Sequence, residues 1–97
     1  MGLSAFTGFD WDEGNEGKNW IKHKVTKIEA EQLFFNEPLL LYYDQKHSET
    51  EDRYYLLGVA DNGRRLQAVF TVREDRIKVI SVREMSRKER RIHEKNT

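Results

Sequence analysis

The chain has no cysteine among its 97 residues and only one proline, and its longest apolar run is the short stretch from Pro38 to Tyr43. Each absence excludes something. Without thiols there are no disulfides, no thiolate zinc sites and no cysteine nucleophile, and a reducing, intracellular compartment fits. A membrane-spanning helix needs roughly 18 apolar residues in a row, so the expectation is a soluble, cytoplasmic protein with no membrane partner. The opening Met1-Gly2-Leu3-Ser4 has neither the basic start nor the long apolar stretch of a secretory signal. A chain of this size supports one hydrophobic core, and residues 1–97 are expected to form a single domain.

Net charge is also lacking, because 17 Lys and Arg balance 17 Asp and Glu. The balance conceals a division. Residues 1–52 carry 11 acidic and 5 basic side chains, whereas residues 53–97 carry 6 acidic and 12 basic ones. The basic half is mostly arginine, whose planar fork binds phosphate in bidentate fashion better than the point charge of lysine. Such a division points to a polyanion partner or to ion pairs between the two halves. Composition leaves both open.

The chain shows no repeat and no low-complexity segment. Phe9-Asp10-Trp11-Asp12 alternates apolar and acidic residues, as a short strand does. Residues 13–24 read as a modest helix with Trp20 and Ile21 on one side, weakened by Gly14 and Gly17. Thr26 with Glu29 has the form of a capping box opening a second helix. That helix stops near Asn36 because Pro38 disfavours helix at the residue before it. Strands follow over residues 39–43, 53–60, 65–73 and 76–82. Asn62-Gly63 and Glu74-Asp75 mark tight turns, and Ser86 with Glu89 opens a last helix running to about Lys95. The predicted fold class is α+β: a short N-terminal strand, two helices, a four-stranded antiparallel meander and a C-terminal helix, with the helices on one face of the sheet.

Four pieces of this sequence, in order, resemble the BrnT toxins, a family with a RelE-like ribonuclease fold. They are Phe9-Asp10-Trp11-Asp12 with Asn19-Trp20-Ile21-Lys22-His23 and Val25; Glu29-Ala30 with Phe35-Asn36-Glu37-Pro38; His47 to Tyr54 with Gly58; and Arg76 to Arg83 with Ser86 and Lys88-Glu89-Arg90-Arg91. The chain departs from the usual family pattern at Asn15 (often lysine), Lys24 (often glycine), Val82 in Ser81-Val82-Arg83 (usually alanine), and His93 (usually tyrosine). The resemblance implies a type II toxin that inhibits translation by metal-independent RNA cleavage, with no cofactor. It also implies neutralisation by a BrnA-like antitoxin in a hetero-oligomer, with operator DNA contacted only through that antitoxin.

Metal-free RNA cleavage needs a base for the 2′-OH, positive charge for the transition state and an acid for the leaving oxygen. With the resemblance in view, the expected catalytic residues are His23, Lys22, Glu51, Arg53 and Arg83. Arg73, Arg76, Trp11 and Tyr54 are expected to bind RNA. The residues alone leave plainer roles open. Lys22 and His23 also suit a helix C-terminus, strand-end arginines keep sheet edges soluble, and Trp11 and Tyr54 also suit a core. His47 is read as shaping an acidic loop, and His93 as a helix-surface residue. The alternative function is a catalytically weak or inactive toxin-like domain that binds a protein partner or nucleic acid.

Overall fold

The protein is described here from a computed structural model covering residues 7–11 and 23–96. The helix expected over residues 13–24 therefore lies outside the described residues except at its end, and so do Lys22 and Asn15. The described elements are β1 (Gly8–Asp10), α1 (Lys27–Gln32), β2 (Leu40–Tyr43), a 3₁₀ turn (Gln45–His47), β3 (Arg53–Val59), β4 (Arg65–Arg73), β5 (Arg76–Glu84) and α2 (Arg87–Lys95). They form an α+β fold around one sheet of order β1-β5-β4-β3-β2.

The strands alternate as the sequence suggests. In β4, Leu66, Ala68 and Phe70 are fully buried, and across from them stand Leu56 in β3 and Val79 and Val82 in β5. α1 covers this face. The capping box at its start is formed, with the Glu29 N–H donating to Thr26 Oγ1 at 3.1 Å and the Thr26 N–H donating to Glu29 Oε1 at 3.0 Å. Beyond Gln32 the helix tightens into i→i+3 bonds through Phe35, which carry Leu33 and Phe34 into the core. Phe34 meets Phe70 edge-on at 5.0 Å and Phe9 at 5.3 Å.

Two expectations about the layout are corrected. The sheet has five strands, because β1 adds to the meander in parallel with β5, pairing Phe9 with Ile77. This pairing buries Phe9 against the core, and Arg76 secures it by donating to the Phe9 carbonyl. The helices also do not share a face. α1 lies over Leu56 and Phe70, while α2 lies on the other side near Tyr55, Leu57 and Gln67. His93, expected on the helix surface, is buried at 4% exposure, with Nε2 donating to the Pro38 carbonyl at 2.9 Å.

The turns differ in kind. Glu74 and Asp75 both adopt positive φ, 51° and 62°, as a two-residue hairpin of the I′ type requires. At Asn62-Gly63 only the glycine does, with φ 89° and its N–H donating to the Ala60 carbonyl at 2.9 Å. The hairpin is thus a longer turn closed by a left-handed glycine. Among the described residues, no helix is long and apolar enough to cross a membrane.

Candidate active site

The face of the sheet away from α1 carries the site. Directly paired residues point to the same side, so the register defines three rows there: Arg53-Thr71-Lys78, Tyr55-Val69-Ser81 and Leu57-Gln67-Arg83. α2 covers the third row, with Gln67 Nε2 donating to Glu89 Oε2 at 3.0 Å. In front of α2 the sheet opens into a cleft of about 390 Å³ lined by Arg53, Tyr55, Gln67, Val69, Ile80, Ser81, Arg83, Asp44 and His47.

A bulge places Arg83 in this cleft. Strict alternation from Ile77 and Val79 would send Arg83 into the core. Instead Phe70 pairs with Val79 and Val69 with Ser81, which leaves Ile80 as an extra residue. The extra residue reverses the alternation. Val82 then enters the core, and Arg83 emerges on the same side as Arg53.

The two arginines differ in their company. Arg83 is clamped by Glu89, with Nη1 and Nη2 donating to the two carboxylate oxygens at 2.8 and 3.0 Å. Arg64, Arg65 and Arg73 are likewise paired, with Glu29, Glu94 and Glu51. The Arg53 side chain has no such partner among the described residues. Its backbone alone is fixed: its N–H donates to Ser48 Oγ at 2.9 Å, and its carbonyl accepts from the Asp44 N–H at 2.8 Å. A half-buried guanidinium left without a carboxylate is a natural phosphate contact.

Ser48 joins this arginine to the turn before it by also donating to the Asp44 carbonyl at 2.6 Å. The same turn presents His47, whose Nδ1 lies 3.0 Å from Asp44 Oδ2. Tyr55 lies beneath and stacks on Tyr42 at 5.0 Å. Burial, with help from Tyr42 and the negative charges of Asp44 and Glu89, pushes the Tyr55 hydroxyl above its usual pKa. Tyr55 therefore enters the cleft as a neutral hydrogen-bond donor.

The other residues singled out from the sequence lie elsewhere. Glu51 holds Arg73 in a bidentate pair at 3.0 and 3.1 Å. Trp11 packs against the core and donates Nε1–H to Glu31 at 2.7 Å. Tyr54 stacks on Phe70 at 5.6 Å, on the face covered by α1. The His23 carbonyl accepts from Arg64 at 3.4 Å, and His23 is not among the described residues lining the cleft. Sequence reasoning gave no site role to Asp44 and read His47 only as shaping its loop. The available signal was Asp44 three residues before His47, a spacing at which one turn brings two side chains together. Among the described residues, no three His, Asp or Glu side chains converge as metal ligands would.

The family model described as the ribonuclease toxin BrnT of type II toxin–antitoxin systems matches residues 11–89. The chain belongs to the BrnT family. That match includes both arginines of the cleft, as well as His47 and Glu89. Among solved structures, the chain is similar to the Brucella abortus ribonuclease toxin BrnT, with a TM-score of 0.64 at 19% identity over 82% of this chain and 97% of the Brucella chain. At that identity the likeness speaks for the shared fold. No curated protein matches the chain.

Proposed function

We propose that this chain is a ribonuclease toxin that cleaves RNA without a metal ion and thereby inhibits translation. The observation carrying this reading is Arg53, a guanidinium without a carboxylate partner among the described residues, in a cleft that also holds Arg83. Two arginines on one concave face suit the dianionic transition state of phosphodiester cleavage, where each such contact supplies about 10²–10³ in rate. Membership in the BrnT family supports the same reading, as does likeness to a protein named as a ribonuclease toxin. The wider set of His23, Lys22 and Glu51 for catalysis, and Arg73, Arg76, Trp11 and Tyr54 for RNA contacts, remains part of the proposal. So do the RelE-like relationship and a BrnA-like antitoxin that holds the toxin in a hetero-oligomer.

The test is cleavage of single-stranded RNA in EDTA by purified wild-type chain and Arg53→Ala, beside growth on induced expression. Cleavage and growth arrest by wild type, both lost in the variant, are the expected results. Folded wild-type protein that leaves RNA intact at micromolar concentration sinks the reading. The alternative, a toxin-like domain that only binds, draws on the Glu89 carboxylate that neutralises Arg83 in the cleft. It predicts RNA or partner binding without cleavage.

A further inference from the structure

We propose that His47 is the general base of the cleft, acting through Nε2 on the ribose 2′-OH, and that Asp44 is its positioning residue. The inference rests on the ribonuclease reading above and deepens it. Three observations carry it. The first is orientation: His47 Nδ1 lies 3.2 and 3.0 Å from the two oxygens of Asp44. A carboxylate there fixes the proton on Nδ1 and leaves the Nε2 lone pair free to accept another, the arrangement that lets histidine serve as a base elsewhere.

The second is attachment. The Asp44 carbonyl accepts from Ser48 Oγ, and Ser48 Oγ accepts from the Arg53 N–H. The segment bearing the imidazole is thus tied to the residue bearing the guanidinium that has no carboxylate partner among the described residues. The Asp44 N–H to Arg53 carbonyl bond, 2.8 Å long, closes the same link from the other side. A phosphate on Arg53 would bring its neighbouring ribose into the cleft that His47 lines.

The third is access. The His47 side chain is 59% exposed and the Asp44 side chain 16% exposed. The orienting carboxylate is sheltered while the imidazole meets the substrate side. The titratable and charged groups around it in the cleft are Asp44 on its own turn, Arg53 and Tyr55 on β3, and Arg83 on β5. Arg83 is paired with Glu89, so Arg53 is the cation among them that has no carboxylate partner among the described residues.

The step balances without a co-reactant. Neutral imidazole takes the 2′-OH proton at Nε2, and the 2′-oxygen forms a bond to the adjacent phosphorus. The bond from phosphorus to the 5′-oxygen breaks, and that oxygen takes a proton from solvent. The products are a 2′,3′-cyclic phosphate and a 5′-hydroxyl, and the imidazolium returns its proton to water.

The experiment measures kcat and KM against pH on a single-stranded RNA oligonucleotide for wild type, His47→Ala and Asp44→Asn, with product ends identified by mass. General-base loss costs about 10²–10⁴ in rate. His47→Ala should therefore lower kcat by at least 100-fold with KM within about threefold, and change the pH dependence of kcat from that of wild type. Added imidazole should restore part of the His47→Ala rate, and Asp44→Asn should fall between the two. The exposed His47 permits replacement without unfolding, which a thermal melt verifies. Wild-type cleavage with kcat and pH profile unchanged in His47→Ala overturns the assignment and leaves the ribonuclease reading standing. A folded wild-type chain that cleaves no RNA overturns both.

Discussion

Arg83 and Glu89 form a two-pronged ion pair across the junction of β5 and α2, with both guanidinium nitrogens within 3.0 Å of separate carboxylate oxygens. The same carboxylate accepts from the Ser86 N–H at 2.8 Å and from Gln67 at 3.0 Å. One side chain therefore caps α2, docks it on the sheet and neutralises a cationic residue of the cleft. Burial works to raise the Glu89 pKa, but hydrogen bonds from Arg83 and the Ser86 N–H outweigh it and hold the carboxyl below its usual range.

Glu89→Gln separates these duties. Glutamine keeps an oxygen that accepts from the Ser86 N–H, so the capping box survives. The charge on Arg83's partner is lost, and the cost in stability is expected to be about 1 kcal/mol, from the weakened hydrogen bonds to Arg83. The exposed side of the ion pair adds little because water screens it. On the ribonuclease reading, the released Arg83 tightens RNA binding, so the variant melts lower but holds single-stranded RNA more strongly in a filter-binding assay. Weaker binding by a folded variant would show that Arg83 does not meet RNA.

Glu29 governs acid stability at the other end of the sheet. Burial raises its pKa, but hydrogen bonds from the Thr26 N–H, Asn62 and Arg64 more than compensate and bring it from 4.5 to about 2. A depressed carboxylate contributes stability that is complete above its unfolded value and is lost as pH falls. Wild type should thus lose stability progressively between pH 4.5 and about 2, and Glu29→Gln should flatten that part of the curve. At neutral pH the variant is expected to be about 1–3 kcal/mol less stable. Urea melts at several pH values measure both effects.

Gly58 lies where the segment after α1 comes close to the sheet. A Cβ there would stand 3.0 Å from Leu56 Cδ1 and 3.2 Å from the Leu33 carbonyl oxygen. The leucine tip can give, but the backbone carbonyl cannot without moving the segment that seats Leu33. Gly58→Ala is expected to cost about 1–3 kcal/mol, read as a lower melting temperature. An unchanged melt would mean that α1 can slide.

Lys24 adopts φ 55°, in the left-handed region that glycine enters without strain. Its carbonyl accepts from Arg64 Nη1 at 2.7 Å, so the conformation is held from outside. Lys24→Gly should stabilise the fold by up to about 1 kcal/mol, visible as a small rise in melting temperature. A lower melt would indicate that the lysine side chain contributes more than the backbone strain costs.

Local structure is legible in the amino-acid sequence alone. Capping boxes at Thr26-Glu29 and Ser86-Glu89, the turn residues at Gly63 and Glu74-Asp75, and the alternation in β4 follow from contacts a few residues apart. Four aligned motifs were enough to name the family. Long-range pairing sets the rest. It set β1 beside β5, because Phe9 needed a core to enter, and it placed the helices on opposite faces. Arg83 lies in the cleft with Arg53 because one extra residue at Ile80 reverses the strand's alternation, a shift that no local pattern announces. Pairing partners were equally hidden: Glu51 belongs to Arg73 and Glu89 to Arg83, while Arg53 has no carboxylate partner among the described residues. Which charges cancel and which remain available is settled only when strands distant in sequence are brought side by side.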